Sequence, residues 1–115
     1  MVVAQGDVWW ADLGEPRGSE PGYVRPVIVV QCDSLNQSAL KTVVCVPLTS
    51  NLRWADAPGG IRLAAAATGL PKDSIAQTAQ LYTADRSALL EYIGQLSVAQ
   101  LDAVFRGIDV VLGRS

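Results

Sequence analysis

The sequence contains no histidine in its 115 residues. Histidine is the most common general base near neutral pH, and it completes the Ser-His-Asp and Cys-His arrangements and many zinc sites. The sequence therefore excludes catalytic mechanisms and metal sites that depend on histidine. Any chemistry has to use arginine, lysine, carboxylate, hydroxyl or phenol side chains.

Cysteine is scarce as well, with only Cys32 and Cys45 present. Two separated cysteines cannot form a zinc site by themselves, and a disulfide between them is not favoured in a reducing compartment. Cys45 lies in the apolar stretch VVCVP, which is typical of a small buried side chain. We therefore expect no disulfide, no metal and no cofactor.

Long hydrophobic runs are also missing, and so is a basic segment preceding an apolar one at the N-terminus. These absences argue against a membrane span and a signal peptide, and we expect a cytoplasmic protein. Charged residues make up 17% of the chain and the net charge is −2. A general nucleic-acid binder is basic, so a nucleic-acid function would need a local positive patch.

Apolar and β-branched residues predict strands over 6–13, 26–31, 42–48, 61–67 and 74–83, with a short strand near YIGQL. Two of these strands, 26–31 and 42–48, are apolar on both faces, which predicts that they lie at the centre of a sheet. Residues 14–24 and 50–60 are rich in glycine, proline and polar residues and predict loops.

From Ser97 onward, apolar residues recur every three or four positions as far as Leu112, which predicts an amphipathic helix. Ser97 and Gln100 fit a capping box, and Gly113 fits a C-terminal stop. Several short strands closed by one helix predict a mainly β fold with a C-terminal α-helix. We expect a small SH3-like barrel, with residues 1–115 forming one domain.

The stretch GSEPGYVRPVIVVQ, residues 18–31, places an arginine at the start of an otherwise apolar strand. If this strand pairs antiparallel with 42–50 about a turn near residue 37, Arg25 lies opposite Thr49. Guanidinium, hydroxyl and amide groups then meet at one rim beside the loop of Glu20: Arg25, Thr49, Ser50 and Asn51.

A guanidinium beside hydroxyl donors is well suited to hold a phosphate. One phosphate reaction needs neither histidine nor metal, because the 2′-hydroxyl of RNA can attack its own phosphodiester. The protein then has to align this attack and stabilise the charge that develops on the phosphate. The competing interpretation is structural. Arg25 could pair with Glu20 or Asp33, and LTSN could simply end a strand; the residues alone leave both open.

Four stretches, in this order and spacing, resemble the MazF/PemK family of toxin–antitoxin toxins: GDVWWADL, GSEPGYVRPVIVVQ, VVCVPLTSN and TGLPKDS. The resemblance covers nearly the whole chain. It implies a small barrel of the MazF/PemK/CcdB type with a C-terminal helix, assembled as a homodimer. It also implies an mRNA interferase: a metal-independent, sequence-specific endoribonuclease that cleaves single-stranded RNA and is neutralised by a cognate antitoxin.

Carried onto this sequence, the resemblance implies that Arg25 and Thr49 are the catalytic residues. Arg25 would stabilise the charge of the pentavalent phosphate, and Thr49 would hydrogen-bond the scissile phosphate. Glu20 matches a loop acid that contacts RNA or positions Arg25, and whether it transfers a proton stays open. Ser50 and Asn51 would bind substrate beside Thr49.

The chain departs from the family where many members read Q-I-R-T-x-D, because residues 80–85 here read QLYTAD. Gln80 is retained and is expected to read bases. Tyr82 replaces the arginine, and it either stacks on a base or packs inside the fold. Arg53 and Trp54, in the 50–60 loop, either contact a base or the antitoxin or form an incidental surface pair.

Two other functions fit the same fold. One is a non-enzymatic toxin that acts by binding a protein, like the CcdB gyrase poisons, and the other is an inactive binding module. The chain ends in FRGIDVVLGRS and lacks the Trp-Gly-Ile ending associated with gyrase poisons. Since Arg25 and Thr49 are both present, the nuclease is the preferred interpretation.

Overall fold

The computed structural model describes residues 2–115 and contains a seven-stranded antiparallel sheet. The strands are β1 Asp7–Asp12, β2 Val24–Val29, β3 Thr42–Thr49, β4 Ile61–Leu63, β5 Ser74–Ala76, β6 Tyr82–Asp85 and β7 Leu89–Gln95. Their order is β4-β5-β3-β2-β1-β7, and β6 also pairs with β3. One edge of β3 is thus shared, with residues 42–45 facing β6 and residues 48–49 facing β5.

The helices are α1 Asp33–Asn36, α2 Ala65–Thr68 and α3 Val98–Leu112, and short 3₁₀ turns occupy Leu52–Asp56, Thr78–Gln80 and Arg86–Ala88. The expected mainly β fold with a C-terminal helix is therefore confirmed. The capping box of α3 is present as well, since the Ser97 hydroxyl accepts from the Gln100 backbone and the Gln100 side chain accepts from the Ser97 backbone. Gly113 ends the helix in the left-handed conformation at φ 70°.

The central pair of strands has the expected register. Val27 faces Pro47, Ile28 faces Val46 and Val29 faces Cys45, so the pairing is symmetric about position 37. Both strands are buried on both faces, because β2 and β3 supply alternate residues to two separate apolar clusters. This explains why their sequences are continuously apolar.

The two clusters lie on opposite faces of these strands. The helix-side core contains Ile28, Val46 and Leu48 together with Val104 and Ile108 of α3. The opposite core contains Val27, Val29, Val43 and Cys45 of the central strands together with Ala84 and Leu89. Trp9 belongs to the opposite core and Trp10 packs against the helix-side core, so both faces of β1 are covered.

The prediction of one strand over 61–67 is wrong beyond Leu63. Residues 65–68 form α2. The Asp73 carboxylate stabilises the first turn of this helix by accepting the Ala65 N–H at 2.9 Å. Gly69 then ends the helix at φ 85°, a left-handed conformation that glycine adopts without strain. A hydrogen bond from a later segment thus decides the local structure.

The prediction of one strand over 74–83 is also wrong, because the chain leaves the sheet after Ala76. The Gln77 N–H donates to the Pro47 carbonyl at 2.9 Å, and the Thr78 hydroxyl donates to the Gly59 carbonyl at 2.6 Å. The first bond continues the register of β3 and β5 by one residue, and the second holds Thr78 in the 3₁₀ segment Thr78–Gln80 that precedes β6.

Both cysteines are free, and only Cys32 is exposed. Burial raises the pKa of the Cys45 thiol to about 12, so this thiol is neutral at physiological pH. Within the described residues, no helix combines the length and apolar character needed to cross a membrane.

Candidate functional site

A polar cleft with a volume of about 300 Å³ lies at the end of the sheet where β2 begins and β3 ends. Six of the residues singled out in the sequence line it: Glu20, Arg25, Thr49, Asn51, Trp54 and Gln80. They come from the loop before β2, from both central strands, from the 50–60 loop and from the 3₁₀ turn after β5. We call this space the site cleft.

Strand alternation explains why Arg25 and Thr49 share the site cleft. Residues two apart along a strand lie on the same face, so Arg25 lies on the face of Val27 and Val29, and Thr49 lies on the face of Cys45. This is the face that packs in the opposite core. The register of β2 and β3, continued by two residues, therefore brings the guanidinium and the hydroxyl to the open end of that core.

The loop before β2 is closed at its base by backbone hydrogen bonds. The Leu13 N–H donates to the Tyr23 carbonyl at 2.9 Å, and the Tyr23 N–H donates to the Gly14 carbonyl. Gly22 packs so closely on Pro16 that a Cβ at this position would lie 2.5 Å from a Pro16 ring carbon. Close packing therefore fixes the Gly22 carbonyl beside Arg25.

Arg25 is held by neutral acceptors. Its Nε donates to the Gly22 carbonyl at 3.2 Å and its Nη1 donates to Oε1 of Gln77 at 3.3 Å. Among residues 2–115, no carboxylate oxygen lies within 4.0 Å of this guanidinium. Arg25 therefore forms no direct ion pair within the described residues, and its guanidinium remains available to an anion in the site cleft, which Glu20 also lines.

The two carboxylates that could have paired with Arg25 have other partners. Glu20 accepts the Arg17 N–H at 2.8 Å. Asp33 lies at α1, where the Gln5 N–H, donating at 2.8 Å, and then the Asn36 side chain hold the pKa of the Asp33 carboxyl below its usual value. The structural interpretation of Arg25 as half of an ion pair is not what the structure contains.

Thr49 and Asn51 form a tight turn at the end of β3. The Thr49 hydroxyl oxygen accepts the Asn51 N–H at 3.1 Å, and the Asn51 side-chain oxygen accepts the Arg53 N–H at 3.2 Å. Because the Thr49 oxygen is used as an acceptor here, its hydrogen is free to be donated to an anion. The turn thus orients Thr49 as a donor at the rim of the site cleft.

Three of the residues expected at the site do not line the site cleft. Ser50 follows the helix-side row and lies in a separate pocket of about 160 Å³, whose walls include Trp10, Pro26, Leu48, Leu70 and Pro71. Arg53 is exposed outside the site cleft. Tyr82 packs against the opposite core, and its hydroxyl donates to the Leu13 carbonyl at 3.3 Å.

Sequence reasoning missed Ser19, Pro21 and Gln77, which complete the lining of the site cleft. Ser19 and Pro21 flank Glu20 in the stretch that drew attention to Arg25, so their proximity follows once that loop folds over the strand. Gln77 was missed because the strand predicted over 74–83 was not paired with β3. Since Thr49 pairs with Ile75 and the Gln77 N–H bonds the Pro47 carbonyl, that register puts the Gln77 side chain on the Thr49 face.

The site cleft offers an unpaired guanidinium, a hydroxyl donor, several amides and an indole ring. Cationic and hydroxyl donors fit a phosphate, whereas amides and an aromatic ring fit the edge and the face of an unpaired base. Across the described part of the chain, no group of three or more aspartate, glutamate or cysteine residues is placed to hold a metal ion.

Comparison with known proteins gives relatives over the whole length of the chain. Endoribonuclease MazF6 of Mycobacterium tuberculosis is 38% identical over 112 residues, covering 97% of this chain and 98% of the relative. Endoribonuclease EndoA of Bacillus subtilis is 33% identical over 112 residues, covering 97% and 96%.

Solved structures share the fold. MazF from Deinococcus radiodurans superposes with a TM-score of 0.83 at 21% identity, covering 98% of each chain. A mycobacterial endoribonuclease, solved in complex with its cognate antitoxin, gives a TM-score of 0.75 at 20% identity and covers 99% of this chain and 96% of that chain.

The family model for the PemK-like, MazF-like toxins matches residues 4–112. This range runs from before β1 to the last turn of α3 and includes every residue of the site cleft. On this match, and on curated relatives that are 38% and 33% identical, the chain belongs to the PemK-like, MazF-like toxin family of type II toxin–antitoxin systems.

Proposed function

We propose that this protein is an endoribonuclease toxin, an mRNA interferase that cleaves single-stranded RNA at a specific sequence. The observation that carries the proposal is the Arg25 guanidinium, which faces the site cleft beside the Thr49 hydroxyl without a carboxylate partner among the described residues. An unneutralised cation next to a hydroxyl donor is the arrangement that stabilises a phosphate whose charge increases during reaction.

In the proposed reaction the substrate supplies the nucleophile. The 2′-oxygen forms a bond to phosphorus as the 2′-hydroxyl loses its proton, and the bond from phosphorus to the 5′-oxygen breaks as that oxygen gains a proton. The products are a 2′,3′-cyclic phosphate, or a 3′-phosphate after hydrolysis, and a 5′-hydroxyl. No metal takes part in these steps, so cleavage is expected to proceed in a chelator.

In this proposal, some residues of the site cleft contact the phosphate and others contact the bases. Arg25 and Thr49 act on the scissile phosphate, and Asn51, Gln80 and Trp54 contact the bases beside it. Glu20 contacts the substrate from the loop before β2, where one of its carboxylate oxygens also accepts the Arg17 N–H. Ser50, Arg53 and Tyr82 lie outside the cleft and would reach only RNA that extends beyond it.

The proposed partners are RNA, a cognate antitoxin and a second copy of the chain, in the cytoplasm. The antitoxin is supported by the family and by relatives of this fold that were solved in complex with their antitoxins. Sedimentation of the purified protein should give about twice the chain mass of 12.2 kDa if the proposed homodimer is correct.

The test is cleavage of a long RNA of known sequence by antitoxin-free protein in EDTA. We expect cuts at a few discrete positions, with 5′-hydroxyl ends that a kinase labels without prior phosphatase. Arg25→Ala should cleave at least about 100-fold more slowly, because a donor to the developing charge is lost. Arg106→Ala is the matched control, since its exposed pair with Asp102 lies on α3, and it should cleave normally.

Two results would contradict the proposed function. One is no cleavage by folded, unsubstituted protein over a broad set of RNA sequences, after which inhibition of gyrase would be tested as the activity of a non-enzymatic toxin. The other is cleavage by Arg25→Ala at the rate of the unsubstituted protein, which would place the chemistry elsewhere.

A further inference from the structure

Gln77 is a polar residue of the site cleft that no sequence pattern identified. Its side chain is almost entirely enclosed, with 6% of the residue exposed, yet it lines the same cleft as Arg25 and Thr49. Buried amides are normally satisfied by hydrogen bonds on both of their ends. The partners of the Gln77 amide therefore show what this residue is placed to do.

The main chain of Gln77 is fixed on both sides. Its N–H donates to the Pro47 carbonyl at 2.9 Å, and its carbonyl accepts the Gln80 N–H at 2.9 Å. The next residue, Thr78, is fully buried and bonds the Gly59 carbonyl at 2.6 Å. The amide of Gln77 is thus presented to the site cleft from a rigid position rather than from a flexible loop.

One end of the amide is engaged by Arg25, whose Nη1 donates to Oε1 of Gln77 at 3.3 Å. A guanidinium can only donate, so the atom that faces it must be the amide oxygen, and the orientation of the amide follows from chemistry. The same contact restricts the rotation of the guanidinium, which the Gly22 carbonyl holds from the other side through Nε at 3.2 Å.

The other end of the amide, Nε2, has no hydrogen-bond partner among residues 2–115, because Oε1 alone of this side chain makes a bond. No fully buried side-chain nitrogen or oxygen in that range lacks a partner, so Nε2 keeps some exposure, and the open space that the Gln77 side chain lines is the site cleft. An enclosed amide therefore presents an unused donor beside the unneutralised charge of Arg25.

The geometry points to Gln77 as a second phosphate donor and as the positioning residue of Arg25. Its oxygen sets the direction of the guanidinium, and its Nε2 donates to a non-bridging oxygen of the scissile phosphate, so that two N–H groups and the Thr49 hydroxyl converge on one anion. This assignment rests on the proposed endoribonuclease function and specifies which group of the chain, besides Arg25 and Thr49, stabilises the transition state.

Two variants remove the phosphate donor of Gln77, and only one of them also removes the acceptor for Arg25. Gln77→Leu keeps the approximate size of the side chain and removes both the acceptor for Arg25 and the donor for phosphate. Gln77→Glu keeps an acceptor for Arg25, removes the donor and adds a negative charge that repels phosphate. Gln37→Leu, at an exposed position after α1, is the matched control for the same change outside the site cleft.

Cleavage rates and RNA binding are measured together, with binding followed on an RNA that carries a 2′-deoxy nucleotide at the mapped cut so that it cannot react. We expect Gln77→Leu and Gln77→Glu each to lower kcat by about 100-fold, the size of effect seen when one transition-state donor is lost. The control should cleave normally. In the Arg25→Ala background, Gln77→Leu should weaken binding by no more than about threefold further, because residues that act as one unit are not additive.

Several outcomes would overturn the assignment. If Gln77→Glu cleaves at the rate of the unsubstituted protein, Nε2 is not a phosphate donor. If the effects of Gln77→Leu and Arg25→Ala on binding multiply fully, Gln77 does not act through Arg25. If Gln77→Leu fails to fold by circular dichroism, Gln77→Glu, which preserves the polar contact, decides the donor role. Failure of the proposed function itself is distinguishable, since the unsubstituted protein would then not cleave.

Discussion

At Thr49 one oxygen atom has two tasks. It accepts the Asn51 N–H at 3.1 Å, which shapes the turn at the end of β3, and it lines the site cleft. The hydroxyl makes no donor bond among the described residues, so its hydrogen can be donated to an anion in the cleft. Replacements of this residue can test the donor directly.

Thr49→Val keeps the shape of the side chain and removes the hydroxyl, and we expect it to slow RNA cleavage by about 100-fold. Thr49→Ser keeps the hydroxyl and should retain most of the activity. Thermal unfolding of both variants shows whether loss of the turn, rather than loss of the donor, explains the result. Cleavage by Thr49→Val within about threefold of the unsubstituted protein would remove Thr49 from the chemistry.

The same residues show how far sequence could predict the site. Arg25 and Thr49 lie on two neighbouring strands whose register follows from a turn near residue 37, so their neighbourhood could be worked out. Ser50 differs by one position, and a change of one position along a strand sends a side chain to the other face. Gln77 could not be found, because its place depends on the pairing of β5 with β3, and the residues of 74–83 alone do not show that pairing.

At the scale of elements, α3 packs against the segment behind the site cleft through a close contact between its backbone and that of Gly59. Gly107 is buried in α3, and a Cβ at this position would lie 2.6 Å from the Gly59 carbonyl oxygen and 3.0 Å from the Thr78 methyl. The Gly59 carbonyl is the acceptor of the Thr78 hydroxyl. The glycine that weakens the helix on propensity grounds is thus required by packing.

Gly107→Ala should destabilise the protein even though alanine favours an isolated helix by about 1 kcal/mol over glycine. The added methyl cannot enter without moving the backbone at Gly59, and overpacking of this kind costs about 1–3 kcal/mol. Urea unfolding followed by tryptophan fluorescence measures the free energy of unfolding. Ala99→Gly, at an exposed position of the same helix, measures the propensity effect alone. If the Gly107→Ala protein were as stable as the parent, the packing between Gly107 and Gly59 would have to relax without cost.

Helices and strands could be predicted where the apolar spacing and capping residues of the segment itself determine its structure. The heptad-like spacing and the capping box gave α3 from Ser97 onward, and continuous apolar runs gave β2 and β3. The stretches 61–67 and 74–83 were misassigned because distant partners decide them: Asp73 caps the turn at Ala65, and the Gly59 carbonyl holds Thr78 where the chain leaves the sheet. A local pattern does not contain such contacts.

At the scale of the whole molecule, the chain is acidic, with net charge −2, and Arg25 is the only lysine or arginine that lines the site cleft as described for residues 2–115. Each phosphate neutralised on a single strand contributes about −0.7 to the slope of log K against log salt concentration. Recognition of RNA by this surface should therefore depend only weakly on salt, with base contacts supplying most of the affinity.

We expect binding of the unreactive 2′-deoxy RNA to show a log–log salt slope no steeper than about −1.5, and Arg25→Ala to flatten it by about 0.7. Fluorescence anisotropy over a range of salt concentrations measures both values, and Arg106→Ala should leave the slope unchanged. A slope steeper than about −3 would show that cations outside the site cleft, such as Arg17 and Arg53, bind the phosphate chain.

The contact between Arg25 and Gln77 joins residues 52 positions apart, and the Gly59–Thr78 bond behind it is packed under Gly107, near the end of the chain. A ribosome makes the chain from its N-terminus, so Arg25 and Thr49 leave the exit tunnel long before α3 does. Gln77 keeps its bonds to Pro47 and Gln80 without α3, but Gly107 of α3 packs against the Gly59–Thr78 bond behind it. During synthesis, the support of the Arg25–Gln77 contact is therefore completed only when α3 docks.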